Sequence, residues 1–384
     1  MAGKIEGRTS LAEHRYILTE IDLLKASVMV IMSAVLFGLS GVLLILFFHW
    51  TARRSYASDM IDKHGIAVVE ASRLGGASVI LWCFGILAFA GLTGITGGES
   101  AYIGDYLFIW AGTLSCGLLG LMEDLRNGRL SPLFRLIIKL IVFGLIVAKW
   151  PFLIPSDLGV PFLDLLLSLP LSGWALTVIF SVGFINAVNM ADGANGLMPG
   201  ILTISFMLFY LETGGLLFAA LATCCGLFAM FNIISGRLFL GDAGTYGLGA
   251  ALAISGLYLH SQDIFSAAFL AVLFAYPCID FLVSLFRRFK QGRSVFSPDN
   301  DHFHNRLYYH CQKLFDSKIL ANSITGIGIS LVFSGAAFIG YLEEWFIATS
   351  DEWFFIFLIQ CGLYGILFYL TGLNRPDSQF SERR

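Results

Sequence analysis

Four carboxylates, Glu123, Asp124, Asp192 and Asp242, sit at the ends of long apolar runs in this chain. Their hard oxygen atoms are the donors that Mg²⁺ prefers. Asp192 lies in Asn186-Ala187-Val188-Asn189-Met190-Ala191-Asp192-Gly193-Ala194-Asn195-Gly196-Leu197, and Asp242 in Phe239-Leu240-Gly241-Asp242-Ala243-Gly244-Thr245. Glycines beside an acid let backbone N–H groups come close to a phosphate. Cations recur near the same run ends. Arg73 opens Arg73-Leu74-Gly75-Gly76, while Arg135 and Lys139 are spaced to share one helix face. A cation inside an apolar helix is costly, so these two should face protein, water or an anionic ligand. A longer polar stretch adds Arg293, His302, His304 and Arg306. Arg and His suit phosphate oxygens. The set describes a metal-dependent site for a phosphorylated substrate at the edge of a lipid phase.

No piece suffices alone. By itself Glu123-Asp124 reads as a solvated helix end, residues 241–244 as a connecting turn, and His302 and His304 as loop histidines. Phe239 alone is an interfacial anchor, and His260 alone a structural residue. Recurrence of the set on one face carries the functional reading.

The elements that must position these residues follow from composition. Of 384 residues 57% are hydrophobic and only 13% charged, with a mean hydropathy of +0.77. A soluble domain carries about 25% charged residues, so the chain reads as an all-α polytopic integral membrane protein. Apolar runs of bilayer-spanning length predict eleven helices, near 27–48, 77–97, 105–122, 133–150, 172–189, 200–214, 215–234, 244–259, 264–286, 321–342 and 352–371. They form one transmembrane domain over 27–372, with loops 49–76, 123–132, 190–199, 235–243 and 287–320 on the active face and a tail at 373–384. Only Glu212-Thr213-Gly214-Gly215 divides the sixth helix from the seventh. The loops on the active face hold Arg53, Lys63, Arg126, Arg237 and Arg287, whereas 98–104, 151–171, 212–215, 260–263 and 343–351 hold no Lys or Arg. By the positive-inside rule the active face is cytoplasmic. Residues 1–26 form an N-terminal segment in which Ile5-Glu6-Gly7-Arg8 resembles a protease-cleavage linker. The seven cysteines lie mostly in apolar runs and form no CxxC pair, so neither a metal site nor a disulfide frame is indicated.

The ordered motifs resemble the polyprenyl-phosphate N-acetylhexosamine-1-phosphate transferases. The pattern runs from Arg-x-Gly-Gly at Arg73 through the paired acids Glu123-Asp124 and the NAxN–DGxDGL motif at 186–197. It continues with FxGDxGS at 239–245 and HxHHRL at 302–307. Five motifs in order over about residues 60–307 are far more specific than any one alone. The resemblance implies transfer of a sugar-1-phosphate from a UDP-sugar to a polyprenyl phosphate such as undecaprenyl phosphate, with release of UMP. It implies Mg²⁺, with Mn²⁺ as a substitute, a bacterial inner (plasma) membrane, no nucleic-acid partner, and compatibility with a homo-oligomer. Asp242 and Asp124 would bind metal, and Glu123 would position or deprotonate the lipid phosphate. Asp192 and Asn189 would contact nucleotide, Asn186 and Asn195 would belong to the same substrate site, Asn232 would meet uridine, and Phe239 would stack on uracil. His302, His304 and Arg306 would engage diphosphate or sugar, with Arg73, Arg135, Lys139 and Arg293 as further anion contacts.

Three positions depart from the family pattern. Glu123 replaces the first Asp of a pair, Asn195 the second Asp of DGxDG, and Asn305 the third histidine. These departures motivate a second reading, a catalytically silent relative that binds lipid carrier or nucleotide sugar. A transporter is a third reading, but transporters tend to place their charges near the bilayer midplane, often within internal repeats. The sequence shows neither feature.

Overall fold

Each of the eleven apolar runs carries helix in the computed structural model, which describes residues 27, 30–31, 38–53, 58–59, 71–93, 106–126, 130–294 and 300–373. In chain order these are α1 (Gly38–Ala52), α2 (Gly75–Thr93), α3 (Leu107–Leu125), α4 (Pro132–Lys149), α5 (Pro161–Leu167), α6 (Pro170–Ala191), α7 (Leu197–Thr213) and α8 (Leu216–Ser235). There follow α9 (Gly241–Ser261), α10 (Ala267–Leu273), α11 (Ala275–Lys290), α12 (Phe303–Leu314), α13 (Lys318–Val332), α14 (Ser334–Leu342) and α15 (Trp353–Gly372). The extended backbone described is one antiparallel pair, Ser58–Asp59 with Ala71–Ser72, and a parallel bridge from Ser72 to Leu238. The N-terminal segment 1–26, Asp62-Lys63-His64, Arg129 and the stretch 295–299 lie outside the described residues.

Among the described residues five helices are long and apolar enough to cross a bilayer, α2, α3, α6, α8 and α15, or seven if two bent pairs count as spans. Five to seven of the eleven expected spans thus meet the length and apolarity of a membrane crossing among the described residues. Helix α4 carries three cations, and α9 contains five glycines with Asp242 in its first turn. Lipid does not favour either surface, and α9 is enclosed by protein along most of its length. The α7–α8 division is real, because Gly214 takes φ +63° as the C-cap of α7 and stops it.

Two predicted spans are broken. Run 264–286 bends by 79° between α10 and α11, and run 321–342 by 46° between α13 and α14. Pro277 causes the first bend, since its ring excludes the carbonyl of Leu273 four residues back. The Ser334 hydroxyl donates to that freed carbonyl at 2.7 Å. Ser334-Gly335 marks the second bend, and Gln360 Nε2 donates to the Phe333 carbonyl at 3.0 Å. Both bends are thus satisfied internally, as lipid-embedded backbone requires.

Helix ends also replace several predicted loops. Glu123 and Asp124 belong to the last turn of α3, and Asp242 to the first turn of α9. Between helices lipid offers no hydrophobic drive, so close backbone approach supplies the packing. A Cβ on Gly120 of α3 would stand 2.1 Å from the Asp242 carbonyl, and one on Gly76 of α2 would stand 2.0 Å from Gly244 Cα. These contacts fix α9 against α2 and α3 with no room for a side chain. All seven cysteines carry free thiols, five of them buried in these contacts and in the apolar core. His260 ties loops on the far side, to the Phe265 and Asp157 carbonyls at 2.9 and 2.8 Å. The Gly120→Ala variant should lose about 1–3 kcal/mol of stability, as overpacked cores do, read as a lower midpoint in thermal unfolding of the detergent-solubilised protein.

Candidate active site

Four helix ends bring the acids together. Asp124, at the end of α3, accepts the backbone N–H groups of Asp242 and Ala243 at 3.0 and 2.8 Å, so it caps the start of α9. An anion is favoured at that end by the helix dipole. Gly241 makes the approach feasible with φ +66°, and a Cβ there would lie 2.2 Å from the Arg73 carbonyl. The Arg73 loop joins the same junction through Gly75 and Gly76, whose N–H groups donate to Phe239 and Leu240 at 3.0 and 2.9 Å.

Helix α4 supplies the cations. Ser131 caps it by accepting the Phe134 N–H at 3.2 Å, and Pro132 follows at the first helical position. Arg135 Nη1 then lies 3.3 Å from both Glu123 Oε1 and Asp242 Oδ2, and donates to the Tyr246 hydroxyl at 3.1 Å. Glu123 uses its other oxygen to accept the Leu130 N–H at 2.9 Å, which pins the α3–α4 connection. One turn along α4, Lys139 donates to Asn186 and sits 4.1 Å from the centre of the Tyr246 ring.

Helix α6 faces them. Asn189 Nδ2 donates to Asp242 Oδ1 at 2.7 Å and to Thr245 Oγ1 at 2.8 Å. Asp242 therefore has one oxygen on Asn189 and the other on Arg135. Asp192 closes the end of α6 and is partly buried. Burial, and secondly the Asp242 charge, push its carboxyl up to about 7.

Against the Asp192 turn stands the histidine helix. His304 Nε2 abuts Gly193 so closely that a Cβ there would lie 2.1 Å away. Its Nδ1 is 3.0 Å from the Tyr276 hydroxyl. Burial, then the neighbouring His302, hold His304 down at about 3, so it stays neutral at any working pH. His302 stacks on it in parallel, with ring centres 5.4 Å apart.

Other expected contact residues are engaged by the protein itself. Asn232 accepts the Gly196 N–H at 2.7 Å and donates to the Leu238 carbonyl at 2.8 Å, joining the two glycine-rich loops. Asn195 is 4% exposed and turns to α13, its N–H donating to Asn322 and its side chain to Ser323 at 2.8 and 3.4 Å. Both amides thus take their hydrogen-bond partners from the loops and from α13. Arg306 forms a double hydrogen bond with Asp301, both contacts 2.8 Å, and donates to the Phe368 carbonyl at 2.8 Å. Arg293 is exposed in the turn after α11. Phe239 is half-buried, and no ring stacks on it among the described residues. Tyr246, Asp280 and Asn322 were missed by sequence reasoning. Asp280 alone gave a signal, an acid inside an apolar run.

The profile described as Glycosyl transferase family 4 matches residues 106–260, which span α3 to α9 and so contain most of this site. A decaprenyl-phosphate N-acetylglucosaminephosphotransferase of Mycobacterium leprae is 30% identical over 70% of this chain and 72% of its own length. The chain belongs to the polyprenyl-phosphate N-acetylhexosamine-1-phosphate transferase family. A probable undecaprenyl-phosphate N-acetylglucosaminyl 1-phosphate transferase of Bacillus subtilis is 28% identical over 61% of this chain and 65% of its own length. A phospho-N-acetylmuramoyl-pentapeptide-transferase of Limosilactobacillus fermentum is 30% identical over 50% of this chain and 70% of its own length.

The family's acids at two of these positions find local explanations here. Glu123 reaches both Arg135 and the Leu130 N–H. An Asp at 195 would bring a charge beside the Ser323 hydroxyl, which already donates to the Ile233 carbonyl at 2.8 Å. Asn195→Asp should therefore cost about 1–3 kcal/mol of stability, as an unsatisfied buried group does, read as a lower thermal midpoint, without raising any turnover. His304 makes a second prediction. Its folded pKa lies below the value of about 6.5 in an unfolded chain, so it contributes stability above that value and loses it as pH falls toward about 3. Unfolding midpoints measured from about pH 7 to about pH 4 should fall less steeply for His304→Gln than for the parent.

Proposed function

We propose that this chain transfers an N-acetylhexosamine-type sugar-1-phosphate from a UDP-sugar to undecaprenyl phosphate, releasing UMP, as the first membrane step of a cell-surface glycan pathway. The observation that carries the reading is Asp242, held between Asn189 and Arg135 on the start of α9 with Asp124 behind it. Family membership supplies the substrate class, and the relatives' names specify polyprenyl phosphate acceptors.

Phosphoryl transfer between two polyanions needs positioning and charge neutralisation more than covalent help from the protein. The lipid phosphate oxygen attacks the β-phosphorus, a new P–O bond forms, and the bond to the bridging oxygen breaks as UMP departs. Arg135 and Lys139 line the approach with positive charge. Glu123, tethered by Arg135 and the Leu130 N–H, orients the lipid phosphate. Asp192, beside Gly193 and His304, stands where the nucleotide would enter.

The carboxylates Glu123, Asp124, Asp192 and Asp242 outnumber the two cations that reach them, Arg135 and Lys139, so a divalent cation suits the donor set. Asp242 would hold it together with Asp124, whose oxygens each keep a lone pair beyond their backbone contacts. Mg²⁺ needs only one or two protein carboxylates when water and phosphate supply the rest. It would bring neutralisation of the diphosphate charge.

The silent-relative reading loses its motive at the three departures. Glu123 is anchored, Asn195 faces α13, and Asn305, in the first turn of α12, donates to the Asn300 carbonyl at 2.8 Å. The charge pattern of the loops further supports a cytoplasmic site in a bacterial inner membrane, with α4 and α9 as spans held by protein neighbours. Purified protein given Mg²⁺, undecaprenyl phosphate and a panel of UDP-N-acetyl sugars should release UMP only when lipid, metal and the right donor are all present. Asp242→Ala should abolish that release, by about 10³-fold or more, while its thermal midpoint stays near the parent's. Turnover that survives this change would sink the assignment.

A further inference from the structure

One buried carboxylate outside the acid cluster is organised around the histidine motif. Asp280, on α11, is 2% exposed. Its Oδ2 receives His302 Nδ1 at 2.6 Å. Its Oδ1 accepts the Phe303 N–H at 3.0 Å and the Tyr364 hydroxyl at 2.7 Å. Three donors from α11's neighbours thus converge on a single acid, and one of them is an imidazole beside the candidate active site.

A carboxylate buried at this depth is costly unless it is paired and hydrogen-bonded. Its partners here are an imidazole, a hydroxyl and a backbone N–H, so the imidazole is the group able to carry the balancing charge. Contact through Nδ1 also fixes the ring in two respects. The proton resides on Nδ1, and the ring acts on a ligand through Nε2. The ring plane is set by Asp280 on one edge and by the parallel face of His304. His304, in turn, meets Gly193 beside Asp192. The two histidines have different supports, a carboxylate for one and the Tyr276 hydroxyl for the other.

The support reaches outward to α15. Tyr364 enters from that helix to hold Asp280. Two further ties join α15 to the histidine helix: Arg306 to the Phe368 carbonyl at 2.8 Å, and His310 to the Thr371 carbonyl at 3.0 Å. The Arg306 guanidinium also lies 3.6 Å from the centre of the Phe368 ring.

We propose that Asp280 is a positioning residue that fixes the proton and plane of His302, with Tyr364 holding Asp280 in turn, so that His302 meets the donor diphosphate through Nε2. This rests on the transferase reading for its ligand, whereas the Asp280–His302 pairing stands apart from it. A residue that acts only through His302 should have no further effect once His302 is gone.

The test is a double-mutant cycle read in UMP release, with a spectroscopic arm. Asp280→Asn should lower kcat about 10- to 100-fold, the range lost when the partner orienting a ligating histidine is removed, with KM for the UDP-sugar changed less than about threefold. Tyr364→Phe should give a smaller loss. In the His302→Gln background Asp280→Asn should leave kcat unchanged. Multiplying losses in that background, or a fall in thermal midpoint with kcat intact, would show a structural role and overturn the proposal. If the parent releases no UMP with any donor, the transferase reading fails by itself. In that event ¹⁵N-histidine NMR of the parent and Asp280→Asn still decides the pairing. The His302 Nδ1 resonance should move in the variant, and an unmoved resonance would overturn it.

Discussion

Two backbone N–H groups at the start of α9 hold the carboxylate of Asp124, and the polar face is assembled around that contact. It joins the end of one buried helix to the beginning of another, so the acid pair and Asp242 cannot drift apart. Arg135 then finds Glu123 and Asp242 at the same distance from one nitrogen. Without the junction, each of these charges would be an isolated ion at a lipid boundary, where solvation is poor and the cost is several kcal/mol. With it, the charges become a single network whose members stabilise one another.

The same junction explains the glycines. A capping carboxylate reaches backbone N–H groups only if the helices approach to near backbone contact. Gly76, Gly120 and Gly241 are the places where any side chain would collide with α9 or with the Arg73 loop. In water such an approach would be assisted by burying apolar surface. In lipid it depends on fit and on polar contacts, so small residues and charges must work together. Helix α9 is accordingly poor in large side chains where it meets its neighbours and is buried almost throughout.

Much of this was legible in the sequence because polar residues are rare in such a chain. Glu123, Asp124, Arg135, Lys139, Asn186, Asn189 and Asp242 stood out against apolar background, and the structure brings them together. Asn195 and Asn232 carried the same motif signal but serve the loops that present the site. Their spacing could not reveal which way an amide turns, because the partners, Asn322 and Leu238, come from elsewhere in the chain. The broken helices were legible in principle. Pro277 and Ser334-Gly335 lie inside apolar runs, and hydropathy reads such runs as continuous. Tyr246 gave no signal, since an aromatic residue in an apolar run has many uses.

The place of α15 has a consequence for biogenesis. This outermost helix contributes no residue to the acid cluster, yet the imidazoles of the distant motif are braced from it through Tyr364, Phe368 and Thr371. A chain emerging from the ribosome has made α3, α4, α6 and α9 long before α15. Its carboxylates are then in place while its histidines still lack their outer support. The nascent protein would pass most of its synthesis with half a site, and the histidine half would be braced only after α15 has docked.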